Sequence, residues 1–125
     1  MTTAHCDGAL LECRLELADG SARVVPIGEI DISTAPLIEE RLEDVRAAGI
    51  GHVVLDLCDT TFIDSRGLHL ALAWHDRARR EGFTFGLTCA PYVVRRTIDA
   101  AGIGDALNFV GARRQRGARR QAISR

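Results

Sequence analysis

The chain has 125 residues and a net charge of −1, with 26% charged and 46% hydrophobic residues. This length suits one domain with its own core, and the composition is ordinary for a globular protein. The apolar runs are far shorter than the ~20 residues that span a bilayer, and the first residues show no basic or apolar signal-peptide region. We therefore expect a cytoplasmic protein without a membrane span.

The charge is unevenly distributed along the chain. All 16 basic residues are arginine, and residues 113–125 contain Arg113, Arg114, Arg116, Arg119, Arg120 and Arg125 but no acid. An acidic body with a basic tail is not the clustered cationic surface that phosphate contacts need, so we expect no direct nucleic-acid partner. We predict disorder over residues 1–9, one domain over residues 10–110, and a flexible, Arg-rich tail over residues 111–125.

The first ordered elements form a hairpin in this prediction. Residues 11–17 alternate between apolar and polar side chains, which is typical of a strand with one buried face, and Cys13 falls on that face. A second strand follows over residues 23–27. It contains Pro26, which cannot donate to a ladder, so we expect a sheet edge or a bulge there.

The rest of the chain alternates between helices and strands. We predict a helix after Ser33 or Thr34, a buried strand over 52–57, a helix from Asp64 to Gly82, a strand over 83–87, a short helix from Pro91 to Gly102, and a last strand over 107–110. This order predicts an α/β fold whose mixed β-sheet has an N-terminal hairpin plus parallel strands and is covered by helices.

Three short motifs in this order resemble the signature segments of one known family. The first is Gly28-Glu29-Ile30-Asp31 with Thr34-Ala35, which resembles the family's G-E-[LI]-D-x-x-[TS]-A segment. The second is Phe62-Ile63-Asp64-Ser65-Arg66-Gly67-Leu68, which resembles the F-[IM]-D-S-[ST]-G-[LIV] signature. The third, Ala101-Gly102-Ile103, is similar to the S-G-L turn after the third helix. The family is that of the STAS domains. The resemblance covers about Leu10 to Val110 and implies a STAS-like fold.

The resemblance also implies a function. Anti-sigma factor antagonists of bacteria bind an anti-sigma factor, usually a serine kinase, and so release a sigma factor. That kinase phosphorylates the serine directly after the signature aspartate, which by position is Ser65, and a phosphatase restores it. The implied role is that of a binding protein that is not an enzyme and needs no cofactor or metal. The oligomeric state stays open.

The chemistry of the signature suits such a switch. Asp64 stands where a helix N-cap is expected, which places Ser65 in the first turn near the positive end of the helix dipole. A phosphate there would be tolerated by the fold and would add about −1.5 to −2 charge to a docking surface. Gly67 permits close approach of a backbone or a partner. The expected partner-binding residues are Asp31, Ser33, Asp64, Ser65, Arg66 and Gly67.

Several alternatives stand beside this reading. Asp64-Ser65 can be only a helix cap, and Arg66, which departs from the family's Ser or Thr, can clamp a phosphate, alter kinase recognition or have no role. A STAS protein can also be a subunit of a lipid-transport ABC complex or of a signalling scaffold without Ser65 phosphorylation. A third possibility is an enzyme that uses Cys58 or Cys89. The cysteines do not have the spacing of a metal-binding motif, and we expect their thiols to be reduced.

Overall fold

The computed structural model describes residues 2–5 and 11–110, and for residues 2–5 and Leu11 it describes the backbone only. The strands are β1 (Thr2–His5), β2 (Leu11–Ala18), β3 (Ser21–Ile30), β4 (His52–Asp56), β5 (Thr60–Ile63) and β6 (Thr84–Thr88). The helices are α1 (Ala35–Ala47), α2 (Ser65–Glu81) and α3 (Tyr92–Ala100), followed by a 3₁₀ turn (Gly104–Ala106). The predicted α/β class is confirmed.

The strands form one mixed sheet. Its order is β1-β2-β3-β4-β6, with β5 paired to β3 beyond the end of β4. The pairs β1–β2 and β2–β3 are antiparallel, whereas β3, β4, β5 and β6 run parallel to one another. The segments that follow Ile30, Asp56, Ile63 and Thr88 therefore lie toward the same side of the sheet, which we call the carboxyl edge.

Strand β3 pairs with two parallel strands in succession. Residues 21–24 pair with β4, and residues 28–30 pair with β5. Pro26 lies between these segments, and its carbonyl accepts a hydrogen bond from the Thr60 hydroxyl at 3.3 Å. Of the two alternatives expected at Pro26, the sheet edge is wrong, because β3 is an interior strand, whereas an irregularity of the bulge kind does occur nearby. Its missing N–H falls between the β4 and β5 pairings, and the ladder becomes irregular two residues later, after Gly28.

A continuous core joins the sheet to the helices. Helices α1 and α2 pack against each other and against the sheet. Trp74 of α2 is 2% exposed and lies edge-on to Phe83, with ring centroids 6.1 Å apart. Cys13 is fully buried, as its alternation predicts. This packing gives the start of α2 a rigid base.

Three segments differ from the sequence prediction. Residues 2–5 were expected to be disordered, but they form β1 and pair with residues 12–15 of β2. Strand β5 replaces the loop that was expected before the second helix. The predicted strand over residues 107–110 contributes only an isolated bridge between Phe109 and Leu87. Strand β5 and the bridge at Phe109 depend on pairing with segments far away in the sequence, which local alternation does not reveal. The predicted tail over 111–125 lies outside the described residues.

Candidate functional site

Asp64 caps the helix α2, as the sequence predicts. Its extended backbone places the carboxylate over the first turn, where Oδ1 accepts hydrogen bonds from the amides of Arg66 at 2.8 Å and Gly67 at 3.3 Å. The backbone amide of Asp64 donates to the carbonyl of Ile30 at 3.1 Å. The cap therefore fixes both the beginning of the helix and its position against the end of β3.

Ser65 is the first residue of α2 and is exposed. Arg66, which follows it, is exposed as well. The side chain of Ser65 thus lies on the surface, at the helix end where the aligned peptide dipoles favour negative charge. The Ser65 hydroxyl is therefore open to contact by another molecule at the start of α2.

Gly67 is buried, in contrast to its two predecessors. A Cβ at this position would lie 2.5 Å from Cγ1 of Ile63 and 2.8 Å from Cγ2 of Ile30. The absence of a side chain therefore lets the first turn of α2 sit directly on β3 and β5. The sequence suggested that Gly67 permits close approach of a backbone or of a partner. The structure supplies contacts for the first role, the close approach of backbone within the domain.

Asp31 organises the loop between β3 and α1. Its Oδ1 accepts hydrogen bonds from the hydroxyl of Ser33 at 2.8 Å and from the amides of Ser33 at 2.9 Å and Thr34 at 3.1 Å. These bonds, that from the Ser33 hydroxyl first, hold the pKa of Asp31 below its usual value. The hydroxyl of Thr34 donates in turn to the carbonyl of Glu29 at 2.8 Å. Asp31 thus has a structural task besides any contact with a partner.

The two motif segments lie next to each other at the carboxyl edge. Ile30 pairs with Ile63 in the parallel ladder between β3 and β5, so the residues that follow each of them leave the sheet at the same level. The predicted surface residues Asp31, Ser33, Asp64, Ser65 and Arg66 therefore share one end of the domain. Although the two aspartates are 33 positions apart in the sequence, the sheet brings their backbones together.

Four exposed apolar side chains accompany this polar cluster. They are Ile32, Phe62, Tyr92 and Val93, and we call them the edge patch. Ile32 and Tyr92 are 71% and 76% exposed. They come from the loop after β3, from β5 and from the start of α3, which packs against β5. Such side chains clustered at one end are typical of a protein-binding surface.

The four residues of the edge patch are not among the surface residues that the sequence predicts. A weak signal was present, because Tyr92 and Val93 fall outside the stripe formed by Val94 and Ile98, the residues that α3 buries. Ile32 is likewise an apolar residue inside an otherwise polar loop. Only the pairing of β3 with β5, and the packing of α3 on β5, group these residues.

The cysteines at the strand ends require a correction. Reduced thiols were the default expectation, but Cys58 and Cys89 are joined by a disulfide, with their Cα atoms 4.8 Å apart. Neither is therefore a free thiol for catalysis in this state. Cys13 is the free cysteine of the described residues, and burial raises its pKa to about 11. The predicted use of Cys58 or Cys89 by an enzyme thus lacks a reactive thiolate here.

Two further observations limit the possible functions. In the described part of the chain, no helix combines the length and the apolar character that a bilayer crossing requires. The ring of His52 is hydrogen-bonded through Nδ1 to the Thr84 hydroxyl at 2.8 Å, at the end of the sheet opposite the carboxyl edge. This histidine is therefore remote from Ser65 and cannot act on it.

Comparison with known proteins places these features in a family. A family model described as the STAS domain matches residues 15–114. An anti-sigma factor antagonist from Mycobacterium paratuberculosis is 26% identical, with 92% of this chain and 95% of that chain covered and a TM-score of 0.72. The unphosphorylated anti-sigma factor antagonist SpoIIAA is 16% identical, with 90% and 97% covered and a TM-score of 0.67.

A third structure agrees with these in fold. RsbS of Moorella thermoacetica is 18% identical to this chain, with 88% of this chain and 94% of that chain covered and a TM-score of 0.67. Residues 15–114, which the family model matches, include both motif segments and the whole carboxyl edge. On the family model and the shared fold together, the chain belongs to the STAS domain family.

Proposed function

We propose that this protein is an anti-sigma factor antagonist: it binds an anti-sigma factor that is a serine kinase, and phosphorylation of Ser65 switches the binding off. The observation that carries the proposal is the exposure of Ser65 at the start of α2, beside the edge patch. The similarity to the Mycobacterium paratuberculosis antagonist supports the functional class. A phosphatase would restore the unmodified serine.

The docking surface in this proposal combines the edge patch with the polar loop residues. Tyr92 and Phe62 offer apolar area for a partner to bury, and aromatic side chains of this kind often dominate binding energies. Ser33 and Ser65 add polar groups around that area. The proposed partner therefore contacts the loop after β3, the first turn of α2 and the first turn of α3 at once.

A phosphate on Ser65 would act at the surface. The amides of Arg66 and Gly67 already donate to Asp64, and the amide of Leu68 donates to the Asp64 carbonyl at 3.0 Å. Few donors of the first turn remain for a phosphate, and the Asp64 carboxylate repels it. The added charge therefore projects toward the partner, where desolvating a dianion is costly. The switch blocks contact without refolding the domain.

Arg66 gives the modified serine a neighbouring cation. An exposed guanidinium one residue away can pair with a phosphate through two N–H groups. In this proposal Arg66 tunes the strength of the switch, and phosphorylation does not depend on it. The Arg66→Ser variant restores the family's usual residue type. Comparing how strongly phosphorylation weakens kinase binding in wild type and in this variant measures the contribution of Arg66.

The test is phosphorylation and binding with the cognate anti-sigma kinase. Incubation with that kinase and ATP should add one phosphate to the wild type and none to Ser65→Ala. Ser65→Asp should bind the kinase at least about tenfold more weakly than wild type, because a charge now occupies the interface. Ser21→Asp is the matched control, since Ser21 opens β3 at the opposite end of the sheet, and it should bind like wild type.

Two outcomes would contradict the proposal in different ways. Phosphorylation of Ser65→Ala to the wild-type level would remove the site assignment. Full binding of the kinase by Ser65→Asp would remove the blocking mechanism. Recovery of a transporter ATPase or a scaffold protein, with no anti-sigma kinase, would favour the alternative of a STAS subunit that works without Ser65 phosphorylation.

A further inference from the structure

The disulfide between Cys58 and Cys89 connects the two turns that lead to the proposed docking surface. Cys58 lies in the turn between β4 and β5, and β5 runs directly into Asp64 and Ser65. Cys89 lies in the turn between β6 and α3, three residues before Tyr92. The bond therefore ties the segment that carries Ser65 to the segment that carries half of the edge patch.

The surroundings of the pair position its sulfur atoms. Asp56 accepts a hydrogen bond from the Cys58 amide at 3.0 Å through Oδ1, and Oδ2 accepts from Arg23 at 2.9 Å. The amide of Leu57 donates to the Thr88 carbonyl at 2.9 Å, which brings the two turns side by side. These contacts do not involve the sulfur atoms, so we expect the two cysteines to remain neighbours when they are reduced.

Two features distinguish this pair from a bond that serves only to hold the fold. Both cysteines are partly exposed, so a dissolved oxidant or reductant can reach them. Cys89 has a φ of 62°, the only left-handed value among the described residues other than glycine. A residue with a Cβ rarely adopts this conformation unless its surroundings impose it. Opening the bond removes one of the constraints on the turn before α3.

We infer that Cys58 and Cys89 are a reversible redox modification site, which in its disulfide form holds the start of α3 in place beside the segment that leads to Ser65. Bonds of this kind in reducing compartments are usually transient and sensory. The effect on partner binding rests on the proposed function, whereas the redox chemistry and its effect on α3 do not.

The chemistry is a two-electron exchange with a peroxide as oxidant. One thiolate attacks a peroxide oxygen, the O–O bond breaks, and a sulfenic acid forms, while the other oxygen leaves as hydroxide and is protonated to water. The second thiolate attacks that sulfur, the S–S bond forms, and the sulfenic oxygen leaves as a second water after protonation. A dithiol reductant reverses the change by thiol–disulfide exchange and becomes a cyclic disulfide itself.

Asp56 and the two cysteines could also serve as ligands of a metal ion. One carboxylate oxygen of Asp56 and the two sulfur atoms lie within 4.8 Å of one another. Both Asp56 oxygens are already hydrogen-bond acceptors, and the Arg23 guanidinium beside them repels a cation. Three ligands also fall short of the four that a structural zinc site uses. The donor set therefore favours the dithiol–disulfide pair.

The test uses the full chain in its Cys6→Ser form, which leaves Cys13, Cys58 and Cys89. Protein reduced with dithiothreitol and desalted is treated with hydrogen peroxide, then unfolded and alkylated, and the intact mass is measured. We expect Cys58 and Cys89 to escape alkylation after peroxide and to recover it when reductant is added to the folded protein. Cys13 should be alkylated in every unfolded sample. A pair that stays reduced in peroxide, or that resists reduction in the folded state, would overturn the inference.

Amide hydrogen exchange then measures the effect on α3. Exchange over residues 89–94 should be at least about fivefold faster in the reduced form, while α1 exchanges equally in both forms. Cys58→Ser and Cys89→Ser should each behave like reduced protein and ignore peroxide. Cys6→Ser should respond as the wild type does, which makes it the matched control for loss of a cysteine. Equal exchange over residues 89–94 in both forms would refute the coupling.

Two further measurements separate the competing explanations. Zinc chloride added to the reduced protein should not prevent disulfide formation; stoichiometric zinc that does prevent it would replace the redox site by a metal site. With the anti-sigma kinase, the oxidised form should bind roughly three- to tenfold more tightly, because its surface is preorganised. If neither form binds the kinase, the proposed function fails while the mass and exchange results still decide the redox inference.

Discussion

At the scale of single residues, the site depends on groups that hold the backbone in place. Asp31 and Asp64 each accept hydrogen bonds from amides two and three positions further along the chain. Gly67 has no side chain where one would strike two isoleucines. These three residues shape the surface, whereas Ser65 and Tyr92 are exposed on it. Substitutions in the first group should therefore affect stability, and substitutions in the second should affect partner binding.

Gly67→Ala should destabilise the fold. The added methyl would overlap Ile63 and Ile30, and such overpacking costs about 1–3 kcal/mol, against which the helix gains at most about 1 kcal/mol in propensity. Urea unfolding would show the loss. The control is Gly51→Ala, since a Cβ there meets no atom within 4 Å and φ is not positive; its midpoint should stay near that of wild type. Equal midpoints for the two variants would contradict the packing argument.

Asp31 should make stability depend on pH in the acid range. Its pKa is lower in the folded protein than in the unfolded chain, so the unfolded chain binds more protons as pH falls. The stabilisation is complete above the unfolded value of about 3.9 and is lost as pH falls through the lower folded value. Asp31→Asn should therefore lose less stability than wild type between neutral pH and pH 3. If both proteins lose the same stability between neutral pH and pH 3, Asp31 does not contribute to the pH dependence.

At the scale of elements, β3 is the strand that organises the domain. It pairs with β2 on one side and with β4 and then β5 on the other. Because β5 continues β3's parallel ladder past the end of β4, helix α2 begins at the level of the β3–α1 loop. The disulfide adds a covalent tie across the same region, between the turns that follow β4 and β6.

The disulfide should contribute to stability as well as to local order. Its cysteines are separated by 31 positions, and the loop-entropy relation for that length predicts about 3.7 kcal/mol. Urea unfolding, monitored by the fluorescence of Trp74, should therefore occur at a lower urea concentration when dithiothreitol is present. The Cys58→Ser/Cys89→Ser protein should unfold at the reduced midpoint with or without reductant. A wild-type midpoint that ignores the reductant, in protein whose bond is shown to be open, would be inconsistent with this contribution.

At the scale of the whole molecule, the domain separates a core from a docking end. The core joins the buried faces of α1 and α2 to the sheet through side chains such as Leu42 and Trp74. Among the side chains that the structure describes, the large exposed apolar ones are concentrated at the carboxyl edge, with Leu17 as the exception at the other end. Stability and partner binding should therefore respond to different substitutions.

Two aromatic substitutions test this separation. Trp74→Ala removes a side chain that is 2% exposed and should cost about 3–5 kcal/mol. Tyr92→Ala removes one that is 76% exposed and should change stability by less than about 0.5 kcal/mol. Circular dichroism during urea unfolding measures both. Tyr92→Ala should nonetheless weaken binding of the anti-sigma kinase; a well-folded Tyr92→Ala protein with full binding would remove Tyr92 from the docking surface.

The sequence by itself determined the fold class, the main helices and strands, and the placement of Asp64 and Ser65 at a helix start. These follow from the periodicity of apolar residues and from capping preferences, which act over a few neighbouring positions. Tertiary structure decided the interior place of β3, the existence of β5, the edge patch, and the meeting of Cys58 with Cys89. All four depend on which distant segments become neighbours in the sheet, and a local pattern carries no information about that choice.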